Sequence, residues 1–204
     1  MPIQTFGTFY KSWKLVNPEY KYNLWSDDDN LNLIQQEYPW FLDTFLGLNS
    51  SVMKADAARI FYMHKFGGVY VDLDSVAYKS IDPLLSSHSI VLARMWVPPT
   101  PADINNSPGP WEWEQTNQIP NAWMASVPGH PFWMHYAQNV MDRQMLETKV
   151  ETYAGPVMLW KSLNEYFGEE VVKTAGRLGL LKRKELYIAD PGSFIRPLIW
   201  YSVF

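Results

Sequence analysis

Gly67-Gly68-Val69-Tyr70-Val71-Asp72-Leu73-Asp74 decides how this chain reads, together with Lys54-Ala55-Asp56-Ala57-Ala58-Arg59 just before it. Asp56, Arg59, Asp72 and Asp74 fall within nineteen residues that otherwise have the composition of a buried helix followed by a buried strand. Val69 to Leu73 is apolar on both faces, which predicts an inner strand of a mostly parallel sheet. Gly67 and Gly68 suit a helix C-cap that needs positive φ and then an extended chain. Charges at the end of such a strand are costly unless paired, and the carboxyl ends of strands in open α/β sheets are where ligands bind. Asp72 and Asp74 are two apart, so on a regular strand they project to one side. Two hard carboxylates converging there suit Mg²⁺ or Mn²⁺, which take a few carboxylates plus phosphates from a substrate. A bare D-x-D is usually a solvated turn; the helix, the Gly-Gly stop and the apolar strand before it give this one its weight.

Outward from that stretch, helical periodicity (Phe9, Trp13, Val16) predicts a helix over 3–16, ending before Asn17-Pro18. Tyr20 to Trp25 reads as a short strand. Ser26-Asp27-Asp28-Asp29 reads as an N-cap with acids in the first helical turn, in preference to a metal site. That helix runs to Glu37, breaks at Tyr38-Pro39, and Trp40 to Leu46 forms another turn or two. A helix from Ser51 to Phe66 places Val52, Ala55, Arg59 and Met63 on one side. Asp56 and Arg59, three apart, serve one site or form an ordinary surface ion pair; periodicity alone leaves both open.

Past the acids, Ser80 to Leu84 is a turn into a short helix and Ser89 to Ala93 a strand. Six prolines within 97–120 mark a long loop, a lid or acceptor-recognition region in which Trp96, Trp111 and Trp113 are candidates for lining an acceptor cleft. Asn121 to Ser126 is a strand closed by Pro128-Gly129-His130-Pro131, with helices over 132–146 and 157–166 and a late strand from Leu186 to Ala189. Strands alternate with helices, so the class is α/β.

The 204 residues suit one domain spanning 1–204. With 47% hydrophobic and 19% charged residues the chain is globular rather than disordered. A net charge of −4 with no basic run argues against a nucleic-acid partner. The absence of cysteine removes disulfides, thiolate metal sites and a cysteine nucleophile. No run of eighteen apolar residues and no signal-peptide pattern occurs, so the chain reads as soluble, without a membrane span. The terminal run Pro197 to Phe204 stops among apolar residues, as if the C-terminus were cut short.

Asn17-Pro18-Glu19-Tyr20-Lys21-Tyr22, Leu24-Trp25-Ser26-Asp27, Tyr38-Pro39-Trp40-Phe41, Ala55 to Arg59 and Gly67 to Asp74 together resemble the glycosyltransferase sugar-binding region with a D-x-D motif. This is the family of the yeast-type Golgi mannosyltransferases and mannosyl inositol phosphorylceramide synthases. Asn121 to Ser126, Pro128 to Trp133 and Ala154-Gly155-Pro156 are similar to its downstream blocks, so the resemblance spans about residues 15–165.

The resemblance implies a GT-A fold with a single Rossmann-like mixed sheet, a nucleotide-sugar donor, Mn²⁺ or Mg²⁺, and transfer with retention onto a glycan or glycolipid acceptor. It implies a hexose, mannose from GDP-mannose, and, for a eukaryotic protein, the Golgi or secretory pathway. Asp74 would ligate the metal, and Asp72 the metal or the donor ribose. Asp56 would accept from donor hydroxyls, Arg59 would contact the sugar or diphosphate, and Tyr70 and Asn121 are further donor-binding candidates. Asp190, after the late strand, is a candidate third metal ligand, whereas His130 reads as structural. Relatives usually begin with a strand carrying an I-P-x-x-I-H-Q-x-W-like segment, which is absent here. Two other readings are therefore an inactive or truncated sugar-binding relative and, from the acids alone, a phosphoester hydrolase.

Overall fold

A computed structural model describes residues 3–85, 88–93, 119–142, 150–169, 172, 185–189 and 195–197. Helix α1 (Ile3–Val16) forms as its periodicity predicts. Helix α2 (Asp27–Glu37) starts at a full capping box: Asp29 N–H donates to the Ser26 hydroxyl while the Asp29 carboxylate accepts from Ser26 N–H. The acidic run is thus helix-start chemistry, as its sequence suggests. Pro39–Phe41 makes one 3₁₀ turn, followed by α3 (Leu42–Leu46) and α4 (Ser51–Lys65), the latter capped by Ser50. Every residue of α4 from Asp56 to Met63 is buried, so this helix runs through the core rather than over it.

Strand β1 (Gly68–Val71) follows directly, then β2 (Ser75–Ala77), α5 (Asp82–Leu85) and β3 (Ile90–Ala93). Next come β4 (Trp123–Ser126), α6 (Phe132–Asp142), α7 (Val150–Tyr153), α8 (Pro156–Phe167), β5 (Leu186–Ala189) and β6 (Ile195–Pro197). Four strands form a mixed sheet in the order β1-β4-β3-β5, and β2 pairs with β6 in a separate ribbon. The expected α/β class holds: a mixed sheet flanked by helices.

Three local expectations do not hold. Strand β1 is at the edge of the sheet among the described residues, and it pairs antiparallel with β4, not inside a parallel sheet. Its apolar character on both faces has another origin. Tyr70 packs against the main core under α4, and Val69 and Val71 pack against a second cluster with Trp13, Ala77 and Trp123. Two covering layers make a strand apolar on both sides whatever its direction. The one parallel pairing among the described residues is β3 with β5. Tyr20 to Trp25 forms no strand. Its side chains anchor it instead: the Tyr22 hydroxyl donates to the carbonyls of Trp13 and Asn17, and the Tyr20 hydroxyl donates to Asp82. Finally, Asp72 and Asp74 are not successive residues of one strand face, because β1 ends at Val71 and both lie in the turn that leads to β2.

Trp96, Trp111 and Trp113 lie outside the described residues, as does most of the proline-rich loop. No helix among the described residues is long and apolar enough to cross a membrane.

Candidate donor site

Helix α4 carries Asp56 and Arg59 one turn apart, in its middle and beside the point where β1 ends. Both are buried, at 6% and 7% exposure, and their side chains pair at 2.9 Å. An exposed helical pair would be worth only a few tenths of a kcal/mol; a pair removed from water this fully survives only with its remaining hydrogen bonds satisfied. Arg59 meets that demand. Its Nη1 donates to the backbone carbonyl of Asn121 at 2.8 Å and lies 3.5 Å from Asp72, and its Nε donates to the Ala55 carbonyl. The guanidinium also sits 4.6 Å from the centre of the Tyr70 ring. Burial works against its charge, but Tyr70, Asp56 and Asp72 outweigh that and hold its pKa above the ordinary arginine range.

Strand β4 delivers Asn121. Val71 stands opposite Trp123 in the antiparallel register, so Asn121 arrives at the carboxyl end of β1. Its side-chain amide donates to Asp56 Oδ1 at 2.9 Å and reaches the Ala154 carbonyl at 3.5 Å. The Tyr70 hydroxyl donates to Asp72 Oδ1 at 2.6 Å. Burial pushes the Tyr70 hydroxyl well above its usual pKa, and Asp72 adds to this against the opposing effect of Arg59, so Tyr70 stays a donor. Asp56, Arg59, Tyr70, Asp72 and Asn121 therefore meet in one network.

Asp72 N–H donates to the Ala122 carbonyl, one rung beyond the last residue of β1. Past it the chain turns, with Leu73 and Asp74 exposed. The Asp74 carboxyl is raised above its usual 3.8, first by partial desolvation and then by the charge of Asp72.

Asp56, Asp72 and Asp74 against Arg59 leave a net charge of −2 from these four groups. A diphosphate would be repelled by that balance, whereas a divalent cation would neutralise it and give the phosphates a partner. The donor set fits Mg²⁺ or Mn²⁺: hard carboxylate oxygens, few in number, one on an exposed turn. Among the described residues no group of three His, Cys, Asp or Glu converges, so Asp72 and Asp74 would supply only part of a metal's shell. Asp190 lies outside the described residues. His130 is structural here, since its Nδ1 accepts from Phe132 N–H at the start of α6.

The sequence did not single out Tyr136. It is fully buried on α6, and its hydroxyl donates to the carbonyls of Ala154 and Gly155 at 2.8 and 3.1 Å, fixing the segment that Asn121 contacts. A tyrosine on an amphipathic helix reads as core, and nothing in its neighbours announces the bond.

Residues 4–91 match the family model described as "Glycosyltransferase sugar-binding region containing DXD motif". Mannosyl phosphorylinositol ceramide synthase CSH1 of Saccharomyces cerevisiae is 34% identical over 61% of this chain and 30% of its own length. Mannosyl phosphorylinositol ceramide synthase SUR1 of the same yeast is 35% identical over 58% of this chain and 26% of its own. Inositol phosphoceramide mannosyltransferase 1 of Schizosaccharomyces pombe is 31% identical over 69% and 39%. The chain thus spans well under half the length of these curated relatives. The solved PaToxG glycosyltransferase superposes on 73% of this chain and 49% of its own with a TM-score of 0.48 at 20% identity, a likeness that leaves function to the site itself. Residues 4–91 of this chain are thus similar to a glycosyltransferase sugar-binding region containing a DXD motif.

Proposed function

We propose that this chain is the donor-binding part of a metal-dependent, retaining glycosyltransferase that moves a hexose, mannose from GDP-mannose, onto a glycan or glycolipid acceptor. The observation that carries the reading is the buried Asp56–Arg59 pair bonded to Asn121 and Asp72, with Asp74 beyond it on an exposed turn. The names of the relatives support mannose as the sugar and an inositol phosphoceramide as the acceptor.

In this reading the rigid network orients the groups that face the donor. Asp56 and Asn121 offer hydrogen bonds to sugar hydroxyls, and Arg59 fixes both acids while its positive charge offsets part of theirs. Tyr70 holds one oxygen of Asp72, so the other is aimed by a residue that is itself packed against the core. Mn²⁺ or Mg²⁺ held by Asp74 with Asp72 would act as a Lewis acid, offsetting the charge that develops on the departing diphosphate. The sugar passes through an oxocarbenium-like state. Front-face transfer accounts for retention without asking the protein for a covalent nucleophile.

The test is nucleoside-diphosphate release from a panel of nucleotide sugars, with Mn²⁺ and with chelator. Slow, chelator-sensitive release from GDP-mannose alone is the expected result. No release from any donor, with no donor-dependent rise in melting temperature, would reject the reading.

A further inference from the structure

Helix α1 takes no part in the charged network, yet it is bonded to the turn that carries the two acids. We infer that Trp13 is a positioning residue for the Asp72–Asp74 turn and that it acts through Ser75. What the turn holds rests on the glycosyltransferase reading; the latch itself does not.

Sheet pairing does not reach Asp74. The last rung is Asp72 N–H to the Ala122 carbonyl, after which Leu73 and Asp74 project to solvent. A turn of this kind is fixed only as well as its far end. That end is Ser75, 8% exposed, whose hydroxyl and N–H both donate to the Asp72 carbonyl, at 2.8 and 3.3 Å. Trp13, 5% exposed, divides its indole N–H between the Ser75 carbonyl at 3.1 Å and the Ser75 hydroxyl oxygen at 3.2 Å. The one residue that closes the turn is thereby tied to α1.

The tie is supported on both sides. The Ser12 hydroxyl accepts from Ala77 N–H at 3.1 Å, so α1 grips alternate residues of β2. The Trp13 carbonyl accepts from the Tyr22 hydroxyl at 2.8 Å and from the Asn17 amide, and Asn17 Oδ1 accepts from Ile81 N–H at 3.0 Å. Beyond β2 the chain is therefore pinned again. Packing alone does not ask for tryptophan here: phenylalanine would fill most of the site, and what it lacks is the donor.

The test uses the whole chain with Trp13→Phe and, separately, Ser75→Ala. The expected result is amide exchange about tenfold faster at residues 72–77, the loss of one buried hydrogen bond, with β3 and β4 unchanged. Mn²⁺ affinity in the presence of GDP, read by electron paramagnetic resonance, falls several-fold in each variant while the melting temperature moves little. The double variant loses more than either single one but less than their sum, as expected for two residues that share one of their bonds. Exchange at 72–77 that stays at the wild-type rate in both variants overturns the inference. Faster exchange in a protein whose wild type binds no Mn²⁺ upholds the latch and rejects the metal-dependent reading. Ser75→Ala carries the same comparison should Trp13→Phe fail to fold.

Discussion

Arg59 donates to the backbone carbonyl of Asn121 across 62 positions of sequence, at 2.8 Å. That bond turns a helical ion pair into a tertiary one, and it raises the cost of breaking the pair. Arg59→Met leaves Asp56 buried without its cation, which should cost about 3–5 kcal/mol in urea unfolding. Replacing both partners, Asp56→Leu with Arg59→Met, should recover much of that loss, because two uncharged side chains of similar bulk need no partners. Turnover should stay absent in the double variant. A double variant that regains both stability and activity would show the pair to be structural only.

Asp74 should separate from the pair in the opposite way. It is exposed, and its carboxyl is raised by desolvation and by Asp72. Its ionisation therefore opposes folding: the cost is absent below its ordinary 3.8 and grows as pH rises through the higher folded value. Asp74→Asn should raise the melting temperature slightly at neutral pH and leave it unchanged in strong acid. Mn²⁺-dependent diphosphate release should fall by about a hundredfold or more in the same variant. Wild-type turnover in Asp74→Asn would remove this residue from the metal.

Gly67 and Gly68 both hold positive φ, at 60° and 74°, but only the first is crowded. A Cβ on Gly67 would stand 2.5 Å from Pro128 N and 2.7 Å from the Ser126 carbonyl, whereas one on Gly68 meets nothing within 4 Å. Gly68→Ala should cost about 1 kcal/mol, the left-handed backbone penalty alone. Gly67→Ala should cost clearly more, because backbone on the β4–α6 turn must move. Equal losses in chemical denaturation would mean that the turn yields freely.

His130 gives a pH dependence. Burial lowers its pKa below 6.5, against a smaller upward pull from Glu185, and its Nδ1 accepts a backbone N–H. Protonation would turn that acceptor into a donor. A depressed folded pKa means that its stabilising contribution is complete above 6.5 and is lost as pH falls through the folded value. His64, also lowered by burial and then by Lys65, has the same sign. Thermal unfolding from pH 8 to 5 should show stability declining below about 6.5, and His130→Asn should flatten that decline.

Much of the fold was legible one element at a time. The start of α2 was written in Ser26 and Asp29, the stop of α4 in Gly67-Gly68, and the place of the acids just past β1 in the apolar run before them. Pairing was not legible. A four-residue apolar run does not say which strand lies beside it, so the antiparallel edge position of β1 was out of reach. Tyr20 to Trp25 has the alternation of a strand, but its hydroxyls find helix carbonyls and Asp82 instead of a neighbouring strand. Of the site, the charged members showed in the sequence because buried charge demands a reason. Tyr136 and Trp13 stayed hidden because each looks like core until its single polar atom is placed.

The strand order has a consequence for how the site comes into being. Residues 4–91 carry Asp56, Arg59, Tyr70, Asp72 and Asp74, yet β4, which separates β1 from β3 and supplies Asn121, comes from beyond them, as do Tyr136 and Ala154. During synthesis the acids and their arginine leave the ribosome long before the groups that satisfy them. A fragment ending at residue 91 would hold β1, β2 and the start of β3, none with its sheet neighbour, and the Asp56–Arg59 pair would still be open to water. The segment that matches the family model is thus not a unit of folding, and fusions or truncations cut at its border would inherit its motif without Asn121, Tyr136 and Ala154.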